Sequence, residues 1–181
     1  MNHYTATAKA LHWLMALLLI GLVALGVYMH ELPLSPRKLQ LYSWHKWAGV
    51  TVFLLVALRL AWRLGHRPPA LPGTMPPLVR RVASATHALL YLLMFAIPLS
   101  GWLMSSAKGF QTVYFGVLPL PDLLAKDAAL GDALQQLHFG LNLLFAVLVI
   151  GHAGAALKHH FIDRDDILAR MLPRRTQEKK S

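Results

Sequence analysis

Four histidines set the chemistry this chain can do: His12, His45, His138 and His152. Each stands inside or at the edge of a long apolar run, where a polar side chain is costly unless something satisfies it. His138 and His152 are fourteen residues apart. On an α-helix that is about 40° short of four full turns, so both face one side, roughly 21 Å apart along the axis. Two imidazoles at two depths on one helix need partners at the same depths. His45 and His12 supply them, His45 at the level of His138 and His12 at the level of His152. Opposed imidazoles from different helices, in two layers, are what two bis-histidine haems stacked in a helical bundle require. Zinc would take three or four tetrahedral ligands, and the apolar runs offer no thiol and no carboxylate.

The remaining histidines divide. His3, His30 and His66 belong to termini or loops. His87 competes for the inner layer, and His159 lies one heptad beyond His152 on nearly the same face. Both are candidates for a quinone headgroup site beside the inner haem, where hydrogen bonding and proton exchange are needed; idle interfacial histidines are the alternative. Arg59, one turn before Arg63, is a candidate partner for a haem propionate. Gly49 near His45, and Gly151 and Ala155 beside His152, leave room for a flat ring or for ordinary helix packing.

The elements that must carry these residues are four candidate spans, at about 8–29, 41–62, 84–105 and 133–157, each long enough to cross a bilayer. Ser35–Pro36 reads as cap and first position of the second helix, Pro98 is expected to bend the third, and HRPPALPGTMPP is a stiff loop. The expected fold is an all-α integral membrane four-helix bundle, up-down-up-down. The first run is longer than a secretory signal core and lacks a cleavage site, so it reads as a retained span. The predicted organisation is a haem-binding membrane domain over residues 1–163 and a basic cytoplasmic tail over 164–181.

Composition agrees. Of 181 residues 56% are hydrophobic and 14% charged, well below the quarter usual in soluble domains. The chain has no cysteine, which excludes disulfides, iron–sulfur clusters and covalent c-type haem. The formal charge of +10 points to a membrane surface and not to nucleic acid, because the cations flank apolar runs. With the N-terminus inside, thirteen Lys and Arg fall on the cytoplasmic side and five on the other. The positive-inside rule then makes both termini cytoplasmic. The five tryptophans lie near span ends, as an interfacial belt requires.

The ordered set LHW, WHKWAG, ALRLAWR, THALLYLLMFAIPLSGW and LHFGLNLLFAVLVIGHAGAALKHHF resembles the bacterial cytochrome b561 family over roughly residues 4 to 162. The resemblance implies an inner-membrane protein with two haem b groups, His12 and His152 holding the cytoplasmic one, His45 and His138 the periplasmic one. It also implies electron exchange with ubiquinone and, in some members, oxidation of superoxide at the outer face. Arg37, Lys38, Lys46 and Lys108 would attract such an anion. The leading expectation is therefore a quinone-linked oxidoreductase with a small-molecule electron donor. A haem-bearing anchor subunit relaying electrons for a soluble partner, and a histidine-based proton or metal transporter, are the competing readings.

Overall fold

The computed structural model describes residues 3–73 and 75–172. Four helices follow one another: α1 (Ala6–Glu31), α2 (Pro36–Gly65), α3 (Pro77–Ala107) and α4 (Ala128–Phe161). All four are long and apolar enough to cross a membrane. They run up-down-up-down, so the start of α1 and the end of α4 share one end of the bundle, the terminal end. Each helix extends beyond the apolar run that announces it, because polar first and last turns lie outside the hydrocarbon.

Local chemistry sets the starts. Thr5, Ser35 and Asp127 are N-caps whose side chains accept from Ala8 N, Lys38 N and Leu130 N at 3.2, 3.2 and 3.0 Å, satisfying donors that the first turn leaves free. Pro36 follows its cap at the first helical position, as expected. Helix α3 begins at Pro77 after Pro76, without a side-chain cap. It continues through Pro98 without a break in the helix.

Helix α1 packs on α2, α3 on α4, and α2 on α3. Neither α1 nor α2 packs extensively against α4. The buried core is Met15, Val52, Val56, Leu90, Leu93, Met94 and Phe145. Outside it the helices present Leu17, Ile20, Leu54, Leu92, Val147 and Ile150 on exposed faces, the pattern of a lipid-facing surface.

At the opposite end, the α3–α4 connection holds an element the sequence did not announce. Val113–Tyr114 and Leu118–Pro119 pair as a short antiparallel hairpin, whose turn places Phe115 at φ 50° and Gly116 at φ 73°. Two successive left-handed residues make the turn that suits strand twist. The phenylalanine there is offset by ring contacts with Trp47 and Tyr114, at 5.4 and 4.5 Å between centroids. The hairpin is tied to α2. Trp47 Nε1 donates to Val113 O at 2.6 Å, Lys46 Nζ to Phe110 O at 2.8 Å, and the Thr51 and Tyr114 hydroxyls meet at 2.9 Å. Trp102 Nε1 donates to Pro121 O at 3.1 Å, and Lys108 pairs with Asp132 at 3.0 Å and with Gln135.

From the segment assigned to the tail, residues up to Leu172 fold back on the terminal end. Lys9 Nζ donates to Leu172 O at 2.8 Å, Trp13 Nε1 to Met171 O at 3.0 Å, and Arg170 to Ala70 O at 2.6 Å. Residues 173–181 lie outside the described residues. Four of the five tryptophans thus donate their indole N–H to a neighbouring segment; the fourth, Trp62, reaches Thr5 Oγ1 at 2.9 Å.

Candidate haem-binding site

Every helix contributes one residue to each of two layers, and the interval is fourteen residues in all four. His12 and Gly26 stand on α1, His45 and Arg59 on α2, His87 and Gly101 on α3, His138 and His152 on α4. Fourteen residues rise about 21 Å, so the layers have the same spacing on each helix. The core residues fall between these positions on every helix. An apolar plug therefore separates the hairpin-end layer from the terminal-end layer.

The hairpin-end layer has two histidines facing two glycines. A Cβ on Gly26 would stand 3.3 Å from His45 Cε1, and one on Gly101 would stand 3.2 Å from His138 Cε1. Both approaches are tighter than an alanine tolerates without a shift of the ring, so glycine is the residue that lets each imidazole seat. His138 Nδ1 lies 3.1 Å from Ile97 O and 2.9 Å from Ser100 Oγ. The Ser100 hydroxyl donates to Ile97 O at 2.8 Å, so the ring nitrogen faces two acceptors. It must carry the proton, which leaves Nε2 with the lone pair a metal needs. Among the described residues His45 Nδ1 is buried with no hydrogen-bond partner. Gly49 is half-buried yet has nothing within 4 Å of where a Cβ would stand.

The terminal-end layer holds three histidines and an arginine. The His12 and His152 rings are 6.3 Å apart at 72°, and those of His87 and His152 are 5.2 Å apart at 70°. Two imidazoles bound on opposite sides of one metal, each nitrogen about 2 Å from it and about 1.1 Å from its own ring centre, place those centres roughly 6 Å apart. The His12–His152 separation matches that span, and the His87–His152 separation falls short of it. Arg59 Nη2 lies 2.9 Å from His12 Nδ1, and its guanidinium sits 5.6 Å from the Tyr91 ring centre.

Both candidate pairs join α4 to a helix that it does not pack against. That separation is what a flat macrocycle between two axial ligands requires. The donor set fits a b-type haem: imidazoles only, a proton-bearing Nδ1 on His138, an orphaned nitrogen on His45, glycines cradling both rings, and no carboxylate or thiol in either layer.

Not every expected residue joins a layer. His159 turns to the segment after α4, its Nδ1 lying 2.6 Å from Asp165 and 3.2 Å from Asp163. His66 stacks on Trp62 at 4.0 Å. The sequence reasoning missed Gly26, Gly101, Ser100 and the two aspartates. Counting fourteen residues onward from His12 and His87 would have found both glycines.

The family model for prokaryotic cytochrome b561 matches residues 3–174. Cytochrome b561 homolog 2 of Escherichia coli (strain K12) is 37% identical, over 94% of this chain and 92% of its own. Cytochrome b561 homolog 1 of the same organism is 29% identical over 97% and 99%, and the probable superoxide oxidase CybB of Yersinia pestis 28% identical over 95% and 97%. A bundle with two layers of inward-facing histidines, matched by that model from its first helix to beyond its last, belongs to the prokaryotic cytochrome b561 family, multi-pass bacterial membrane cytochromes that transfer electrons on b-type haem.

Proposed function

We propose that the chain holds two haem b groups, one between His12 and His152 and one between His45 and His138, and passes electrons between a donor at the hairpin end and ubiquinone at the terminal end. The observation that carries this reading is that His12 and His152 face each other at 6.3 Å between ring centres, from helices that make no extensive contact, so these two imidazoles would hold the terminal-end haem. A haem so held supplies one-electron transfer without changing its ligands. The protein's part is to fix the imidazoles, exclude water from the apolar plug between layers, and keep the centres about 20 Å apart by helix rise.

Arg59 has a defined part. A guanidinium only donates, so His12 Nδ1 accepts from it and the ring proton falls on Nε2. Were His12 Nε2 to hold a haem iron, Arg59 would have to give up its contact with His12 Nδ1, and a haem propionate would be the partner its charge calls for.

The positive-inside count supports an inner-membrane protein with the terminal end in the cytoplasm. Quinone reduction at that end takes up two electrons and two protons. His87, against His152, and His159, bonded to Asp165, are the candidates to orient the headgroup and pass protons. At the hairpin end the reading is oxidation of superoxide to dioxygen, one electron per molecule, two molecules for each quinone. The name of the Yersinia pestis relative supports that chemistry. So do Lys38 and Lys46, which bond to carbonyl oxygens and have no ion pair among the described residues. The test is a pyridine haemochrome assay on the pure protein with superoxide-driven ubiquinone reduction. Two haems per chain and turnover without a partner subunit are expected; one haem, or turnover only with a soluble partner, overturns the reading.

A further inference from the structure

Between α1, α2 and α3 at the terminal end is a half-open pocket whose walls include Tyr4, Arg59, Trp62, Arg63, Tyr91 and Met171. Arg59 and Arg63 both approach the Tyr91 ring, their guanidinium carbons 5.6 and 5.7 Å from its centre. Among the described residues no acidic side chain lines the pocket, and neither arginine has a carboxylate within ion-pair distance. Two like charges over one ring, Arg59 half-buried and Arg63 exposed, repel each other and lack a counter-ion among the described residues. The aromatic ring offsets part of that cost and cannot cancel it. Trp62, anchored on Thr5, and Met171, whose carbonyl oxygen accepts from the Trp13 indole, line the pocket with the two cations. A neutral quinone ring leaves the charges unbalanced. An oxyanion does not.

We infer that this pocket is an oxyanion site, taking a phosphate or carboxylate group on the paired guanidiniums of Arg59 and Arg63. Two sources present that chemistry at this depth: the headgroup phosphate of an anionic phospholipid, and a haem propionate. Basic pockets between transmembrane helices at a cytoplasmic surface suit the first, and Arg63, exposed at the pocket's mouth, faces the headgroups. The site extends the haem assignment only through the second source. The lipid source stands independently of which histidines bind iron.

The experiment uses the full-length holoprotein in nanodiscs of phosphatidylcholine, with or without phosphatidylglycerol, comparing wild type with Arg63→Gln and Arg63→Lys. Thermal unfolding and the rate of haem loss to an apomyoglobin trap are both recorded. For a lipid source, phosphatidylglycerol raises the wild-type Tm by about 5 °C, Arg63→Gln erases that difference, and Arg63→Lys keeps part of it. For a propionate source, the lipid difference persists in Arg63→Gln but one haem leaves several-fold faster. A purely structural arginine would lower Tm equally in both membranes, with the lipid difference and haem loss unchanged. That result overturns the proposal, as does a wild type indifferent to phosphatidylglycerol whose Arg63→Gln variant holds haem normally.

Discussion

His12 and His152 stand 6.3 Å apart between ring centres, although α1 and α4 make no extensive contact. Nothing in the packing of those helices holds the rings at that distance. The same α4 carries His138 fourteen residues earlier, in the layer that holds His45. The two-layer pattern yields the following expectations.

Haem content should fall by layer. His45→Ala or His138→Ala is expected to reduce two haems per chain to one and leave the terminal-end haem's spectrum intact, with His12→Ala or His152→Ala doing the converse. Because His87 sits at 5.2 Å from His152, shorter than two trans ligands need, His87→Ala should retain both haems. A pyridine haemochrome assay with low-temperature absorbance spectra decides. Loss of the terminal-end haem in His87→Ala but not in His12→Ala would reassign the ligand.

Glycine at position 101 should matter to the haem more than to the fold. Gly101→Ala gains about 0.5–1 kcal/mol of helix propensity, while its Cβ, 3.2 Å from His138 Cε1, displaces the ring at a cost of about 1–3 kcal/mol. Thermal unfolding should therefore move by only a few degrees. The hairpin-end haem should shift in midpoint potential or be lost, seen by redox titration. An unchanged potential would show that the imidazole has room to spare.

The folded-back segment after α4 should release in acid. The hydrogen bond from Lys158, at 2.6–2.7 Å, holds the Asp163 carboxyl below its ordinary range, and Arg170 does the same for Asp166. A depressed folded-state pKa means that the contribution is fully present above the unfolded value near 4. It is lost as pH falls through the lower folded value. Limited proteolysis should find residues 162–172 protected at pH 7 and cut increasingly below pH 4. Asp163→Asn should weaken protection at neutral pH. Equal protection at pH 7 and pH 3 would contradict the linkage.

Quinone turnover should separate from haem content. His159→Gln removes the imidazole bonded to Asp165 at 2.6 Å and touches neither layer. It should keep both haems, and ubiquinone reduction is expected to fall at least tenfold, within the range that general acid–base groups supply. Steady-state rates in variants with verified haem content are the measurement. A wild-type rate in both His159→Gln and His87→Gln would remove both from the quinone site.

Sequence alone determined the four spans, because twenty-odd apolar residues in a row have no other stable home than a bilayer. It also determined the two depths, because helical rise is fixed and His138 and His152 lie on one helix face. The cap at Ser35–Pro36 was legible for the same local reason. Which imidazole opposes which was not. His12 and His87 share a level, and only tertiary packing, by keeping α1 and α2 off α4 and bringing α3 close, sets His87 at 5.2 Å and His12 at 6.3 Å from the His152 ring. The glycines at 26 and 101 went unnoticed, because only the placed rings of His45 and His138 show what they make room for. His159 was legible as a quinone-site candidate, but not the aspartates beside it, which become neighbours only when the chain turns back after α4. The hairpin at 113–119 stayed hidden since its strands are two residues each, too short to show a period. What it packs on, Trp47 and Thr51, lies more than sixty residues away.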